Sequence, residues 1–96
     1  MKVVEMKEKA RAFVLIEVKM GKEEQVLSEL LKLNEVKEAH VITGKMDIMA
    51  VIEVDREIVA PSDKTVADLV THRIRTIPGV HETDTMIPTL SKVKVP

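Results

Sequence analysis

The sequence contains no cysteine, tryptophan or tyrosine, and Phe13 is its single aromatic residue. Without cysteine there is no disulfide framework, no thiolate nucleophile and no cysteine-ligated metal site. One aromatic side chain is too few for the stacking surface that an RNA-recognition sheet presents to bases. The 15 Lys and Arg residues nearly balance the 16 Asp and Glu residues, with the signs interspersed. No basic stripe can neutralise a phosphate backbone, so direct nucleic-acid binding is not expected.

Long apolar runs are absent as well. No uninterrupted run approaches the roughly 20 residues needed to cross a bilayer, and the first nine residues lack the apolar core of a signal peptide. We therefore expect a cytoplasmic protein without membrane contact. A single Asn and a single Gln accompany abundant Lys and Glu, as in many proteins from thermophiles. A melting midpoint of about 55 °C, in the mesophilic range, would contradict a thermophilic source.

The sequence does contain an internal repeat. Ile16-Glu17-Val18 recurs as Ile52-Glu53-Val54, and Leu33-Asn34-Glu35-Val36 is echoed by Ile77-Pro78-Gly79-Val80. The first offset is 36 residues (16 to 52) and the second is 44 (33 to 77), so the second half carries an insertion within residues 56–64. A duplicated β-α-β unit predicts an α+β, ferredoxin-like β-α-β-β-α-β sandwich, in which a four-stranded antiparallel sheet carries two helices on one face.

Apolar periodicity places the individual elements. Strands are predicted at residues 12–19, 37–43, 46–55 and 81–89, and helices at 22–33 and 65–76, with a tight turn at residues 44–45. Residues 12–90 form the predicted domain. Residues 1–11 are an N-terminal extension without an assigned structure. Residues 91–96 are a tail, in which 93–95 alternate weakly and either extend a sheet edge or are loose.

The same alternation predicts a second apolar surface, on the face of the sheet away from the helices. The residues expected to face the helices are Val14, Ile16 and Val18. Those expected on the opposite, open face are Phe13, Leu15, Met49 and Val51. A contiguous apolar patch on central strands is rarely left in water, so we expect a second copy to cover it, sheet against sheet, in a two-fold dimer.

Two short motifs are candidate sites. Gly44-Lys45-Met46-Asp47 joins the second and third strands, and Thr83-Asp84-Thr85 lies in the last strand. Taken singly, they are an ordinary hairpin and an ordinary edge strand. Combined with the aliphatic first strand and with Ile77-Pro78-Gly79-Val80 after the second helix, they resemble the effector-binding domain of Lrp/AsnC transcription regulators, the RAM domain. The resemblance covers about residues 12–90.

The resemblance implies dimers that assemble into octamer-like rings, with a free amino acid bound where dimers meet and no cofactor or metal. The implied ligand-binding residues are Gly44, Lys45, Met46, Asp47, Thr83 and Thr85. Asp47 matches an acceptor for the α-ammonium group, and the threonines match groups that hydrogen-bond the ends of the zwitterion. Lys45 and Met46 stand where the hairpin often carries an acid and an aromatic residue, which leaves the identity of the amino acid open.

The residues before position 12 are too few for a helix-turn-helix. The chain is therefore expected to resemble stand-alone members, which are not enzymes and which co-assemble with full-length regulators or compete for them. Two alternatives remain open. A small dimeric α/β-barrel enzyme of the monooxygenase type would need an aromatic-lined cavity. An ACT-type allosteric domain would bind its amino acid near Met20-Gly21-Lys22. The histidines, His40, His72 and His81, lack metal-ligand spacing and are interpreted as solvated or structural.

Overall fold

The structure is a computed structural model that describes residues 2–5, 9–43, 47–55, 68–88, 90 and 92–95. Its strands are β1 (Lys2–Glu5), β2 (Lys9–Val18), β3 (Val36–Val41), β4 (Ile48–Asp55), β5 (Val80–Met86) and β6 (Lys92–Val95). Helix α1 spans Glu23–Leu30, and a π-helical segment spans Val70–Ile74. Strands β3, β4, β2 and β5 form an antiparallel four-stranded sheet in that order, while β1 and β6 form a separate pair. The predicted ferredoxin-like sandwich is confirmed.

The core lies between one face of the sheet and the two helices. Along β2, Ala12, Val14, Ile16 and Val18 are buried and the residues between them are half-buried, as the alternation predicts. The helices contribute Val26, Leu30, Leu69, Val70 and Ile74 to the same cluster. Each large aliphatic side chain that is fully buried contributes about 1.5–3 kcal/mol, so this layer dominates the stability of the domain.

The two halves repeat in their hydrogen bonds as well as in sequence. After α1, the Leu33 N–H donates to the Leu30 carbonyl (3.0 Å) and the Val36 N–H donates to the Leu33 carbonyl (3.1 Å). After the second helix, the corresponding bonds join Ile77 to Ile74 (3.1 Å) and Val80 to Ile77 (3.2 Å). These tight turns end α1 at Leu30, earlier than the predicted residue 33, because the chain is already turning toward β3.

The second helix is described from Asp68, where two α-helical residues lead into the π-helical segment. The Arg75 N–H donates to the Val70 carbonyl at 3.2 Å, five residues back. Arg73 Nη1 donates to Glu35 Oε1 at 2.8 Å, which ties this helix to the turn between α1 and β3. The predicted start of the helix, at residue 65, lies outside the described residues. No helix in the part of the chain that the structure describes is long and apolar enough to span a membrane.

The two ends of the chain pair with each other. Strands β1 and β6 are antiparallel, with Lys2 opposite Val95 and Glu5 opposite Lys92. Strand β2 begins at Lys9, three residues before the predicted start, because Lys9–Ala12 pair with Asp55–Ile52 of β4. Strand β5 does not reach this first part of β2, because the pairing of the two strands ends at Phe13 and Met86. The β1–β6 ribbon therefore attaches at the end of the sheet where β2 begins and β5 ends.

Candidate functional site

Asp47 holds the end of the β3–β4 hairpin against β2. Its N–H donates to the Ile16 carbonyl (3.1 Å), and its carbonyl accepts from the Ile42 N–H (2.9 Å). Its carboxylate Oδ2 also accepts from the Val18 N–H at 2.8 Å, in a partly buried position. The β2–β4 pairing ends at Ile16 and Ile48, so the Val18 N–H lies beyond the paired residues and has the Asp47 carboxylate as its acceptor. Asp47 is thus a structural clamp, a role that sequence reasoning missed. Gly44, Lys45 and Met46 lie outside the described residues.

Thr83 and Thr85 lie on β5, at the opposite edge of the sheet from β3. Thr83 faces Ile16 and Thr85 faces Val14, so both threonines share the helix-covered face and are half-buried. Asp84, between them, points to the open face opposite Leu15. The two hydroxyls therefore lie side by side next to the second helix, where each can both donate and accept a hydrogen bond.

Strand β2 separates Asp47 from the threonines. Asp47 is bonded to Ile16 from the β4 side, and Thr83 pairs with Ile16 from the β5 side. The backbones of β4 and β5 are two inter-strand spacings, about 10 Å, apart, and the Asp47 carboxylate reaches only as far as Val18 on β2. Within one chain, the predicted ligand residues therefore lie on opposite sides of β2, in two places that we call the half-sites.

The open face carries the apolar residues predicted for the dimer interface. Phe13 pairs with Val51, and Leu15 pairs with Met49. Phe13, Leu15 and Met49 are half-buried, whereas Val51 is already buried within the single chain. Val51 lies between Phe13 and Glu38 in the register, and both neighbours have longer side chains. Phe13 also pairs with Met86, an exposed methionine that extends the patch to β5.

Two of the three histidines lie beside a glutamate near the surface. His40 Nε2 lies 3.0 Å from Glu38 Oε1, and His81 Nε2 lies 3.5 Å from Glu17 Oε1. His72 is exposed on the second helix. In the described part of the chain, no group of three or more acidic, histidine or cysteine side chains could hold a metal ion.

The β2–α1 turn, where an ACT-type ligand would bind, is fixed by backbone contacts. Gly79 accepts a hydrogen bond from the Lys19 N–H (2.8 Å) and lies against the start of α1. A Cβ on Gly79 would lie 3.0 Å from the Lys22 Cβ and 3.1 Å from the Val26 Cγ2. Met20 projects into solvent with an exposed fraction of 96%.

Comparison with protein families gives one match, to the family described as the Lrp/AsnC ligand binding domain, over residues 11–94. Comparison with curated protein sequences found no match.

Solved structures of similar fold give the same result. The hypothetical protein PHS023 from Pyrococcus horikoshii is 33% identical with a TM-score of 0.69, and the match covers 85% of this chain and 92% of that one. FFRP-DM1 is also 33% identical with a TM-score of 0.69, covering 82% and 97%. AsnC from Escherichia coli is 25% identical with a TM-score of 0.71, covering 83% of this chain and 50% of AsnC.

The family match spans nearly the whole chain, and the two 33% identical structures are covered almost completely. The resemblance drawn from the hairpin, the Thr-x-Thr pair and the repeat is confirmed. The chain belongs to the Lrp/AsnC ligand-binding domain family.

Proposed function

We propose that the domain binds a free amino acid between two of its copies, and that this binding controls their assembly. The observation that carries the proposal is the separation of Asp47 from Thr83 and Thr85 by the width of β2. A second chain that places its hairpin beside the threonines of the first would complete a site that one chain does not form. A ligand that bridges chains binds only the assembled state and therefore shifts the equilibrium toward it.

Each half-site has chemistry suited to one end of a zwitterion. The Asp47 carboxylate uses Oδ2 for the Val18 N–H and has further lone pairs for an ammonium group. The hydroxyls of Thr83 and Thr85 can donate to a carboxylate. The clamp on Val18 also fixes the orientation of Asp47, which reduces the entropy lost when a ligand binds.

The open sheet face supplies the other contact between copies. Phe13, Leu15 and Met49 leave an apolar patch on the central strands, continued by Met86 on β5. Burying this patch against a second copy removes it from water and leaves the sheet edges and the half-sites accessible. Dimers formed in this way can then join through the half-sites into octamer-like rings.

The proposed cellular role is regulatory rather than catalytic. The module would act in the cytoplasm and modulate transcription regulators. The module would co-assemble with full-length Lrp/AsnC regulators and change their assembly when the amino acid binds. A more distant relative in fold, the feast or famine regulatory protein from Mycobacterium tuberculosis, was solved with L-methionine and is 23% identical. L-Methionine is therefore a reasonable first probe.

The test combines light scattering and thermal melting of the purified protein with each of the twenty amino acids. We expect one amino acid to change the assembly mass and to raise the stability, by about 2.7 kcal/mol at a hundredfold excess over Kd. The double substitution Thr83→Val and Thr85→Val removes both hydroxyls with little change of shape and should abolish the response. Thr71→Val, on the exposed side of the second helix, is the matched control. If no amino acid at millimolar concentration changes mass or melting, the proposal is wrong.

A further inference from the structure

The β1–β6 ribbon is a short two-stranded sheet that is separate from the main sheet. Each strand has four residues, and the pair joins neither edge of the four-stranded sheet. An isolated two-stranded ribbon is marginal in water, and chain ends are ordered only when something ties them down. Here the two strands are also joined through the whole domain rather than by a tight turn. Packing against another surface would supply the missing stabilisation.

The β5 edge of the open face carries unneutralised acidic groups. Glu82 stands directly opposite Glu17, and Asp84 follows two residues later on the same face. Like charges directly opposite each other on a sheet are destabilising. His81 lies near Glu17, but neither Glu82 nor Asp84 makes an ion pair within the described residues. Arg11, also on this face, pairs with Glu53 at 3.8 Å.

The ribbon carries positive charges with the same spacing as these acids. Lys92 and Lys94 are exposed and two residues apart on β6, so they share one face of the strand about 7 Å apart. Glu82 and Asp84 have the same two-residue spacing on β5. Within its own chain β6 pairs with β1 and not with β5. The ribbon also attaches beyond Met86, past the end of the acidic edge. Across the ribbon, Lys94 stands opposite Val3 and Lys92 stands opposite Glu5. Both lysines are exposed, so a second molecule can reach them.

We propose that the ribbon is an arm that docks on a second copy of the chain, with Lys92 and Lys94 of one copy paired to Glu82 and Asp84 of the other. The inference rests on the sheet-to-sheet dimer of the proposed function. Exposed Met86 ends β5, and exposed Leu90 lies between β5 and the ribbon, so the apolar patch of the open face continues toward the arm. In a two-fold dimer the contact occurs twice, and the acidic edge of each copy receives two cations from the other copy.

The test is an exchange of charge between chains. Lys92→Glu with Lys94→Glu reverses the arm, and Glu82→Lys with Asp84→Lys reverses the edge. In a homodimer of either variant, both arm contacts bring like charges together and become repulsive. We expect the dimer of each to dissociate about tenfold more readily at low ionic strength, with a smaller effect in high salt. In an equimolar mixture, each heterodimer pairs a reversed arm with a reversed edge and an original arm with an original edge. The mixture should therefore regain the original affinity.

The control is Lys22→Glu with Lys32→Glu, which makes the same change of net charge as the arm variant on exposed residues of the helix layer. It should leave the dimer unchanged. Circular dichroism checks folding, and the single pair Lys92→Glu and Asp84→Lys replaces the doubles if one of them fails to fold. Variants that dimerise like the original protein, or a mixture in which affinity is not restored, would overturn the arm. An original protein that stays monomeric would overturn both the arm and the open-face dimer.

Discussion

Gly79 is a residue whose backbone conformation and surroundings both exclude a side chain. Its φ of +99° lies in the left-handed region, and a Cβ there would press on Lys22 and Val26 at 3.0–3.1 Å. We predict that Gly79→Ala lowers the free energy of unfolding by about 2 kcal/mol, from backbone strain and from displacement of α1. Urea denaturation followed by circular dichroism measures the change.

Gly21 provides the matched control. Its φ of +82° carries the same conformational penalty, but a Cβ there would meet nothing within 4 Å. Gly21→Ala should therefore cost only about 1 kcal/mol. Equal losses at the two positions would show that the contact between Gly79 and α1 contributes nothing.

Substitution can separate the structural contact of Asp47 from its proposed role in binding the amino acid. Alanine removes the acceptor of the Val18 N–H and leaves that amide unpaired, at a cost of about 1–2 kcal/mol. Asparagine keeps an oxygen for the amide but loses the negative charge. We therefore predict that Asp47→Ala is clearly destabilised in urea, that Asp47→Asn is within about 0.5 kcal/mol of the original protein, and that both lose the response to the amino acid. If the Asp47→Asn protein still responds to the amino acid, then a group other than Asp47 binds the ammonium of the ligand.

At the scale of elements, the sequence repeat and the apolar alternation were sufficient to predict the sheet, both helices and the buried face. Two features could not be predicted in the same way. The clamp by Asp47 joins a side chain to a backbone amide 29 residues away, and a backbone amide has no sequence signature. The β1–β6 ribbon joins four-residue strands from opposite ends of the chain, which are too short for alternation to distinguish them from loose termini.

The pairing of β2 with β5 contains an electrostatic cost, because Glu17 and Glu82 face each other. We predict that Glu82→Gln stabilises the isolated domain by about 0.5 kcal/mol at neutral pH and low salt. Urea denaturation of a dilute sample measures this. The gain should shrink in high salt, where the repulsion is screened. A gain that persists unchanged in high salt would point to a cause other than charge.

At the scale of the whole molecule, the two faces of the sheet differ in what covers them within one chain. One is covered by α1 and the second helix, and together they form the core. The other keeps Phe13, Leu15 and Met49 half-buried, with acids along the β5 edge. An apolar centre bordered by charge resembles a protein interface rather than a solvated sheet face. Asp47 and the two threonines lie outside this patch, so the proposed dimer contact and the proposed ligand site would use separate surfaces.

Leu15 is the position at which this division can be tested. It lies on central strand β2, between Met49 on β4 and Asp84 on β5. In a single chain Leu15→Asp exposes a carboxylate to solvent, so the fold should persist. In the dimer the same carboxylate would be buried without a partner, beside Asp84. We predict a dimer at least about 30-fold weaker by analytical ultracentrifugation, as for the loss of a central interface residue.

Met20→Asp, at a fully exposed position in the β2–α1 turn, should leave the dimer intact. If Leu15→Asp dimerises as tightly as Met20→Asp, the copies associate through another surface, and the open face must then be stable in water despite its apolar centre.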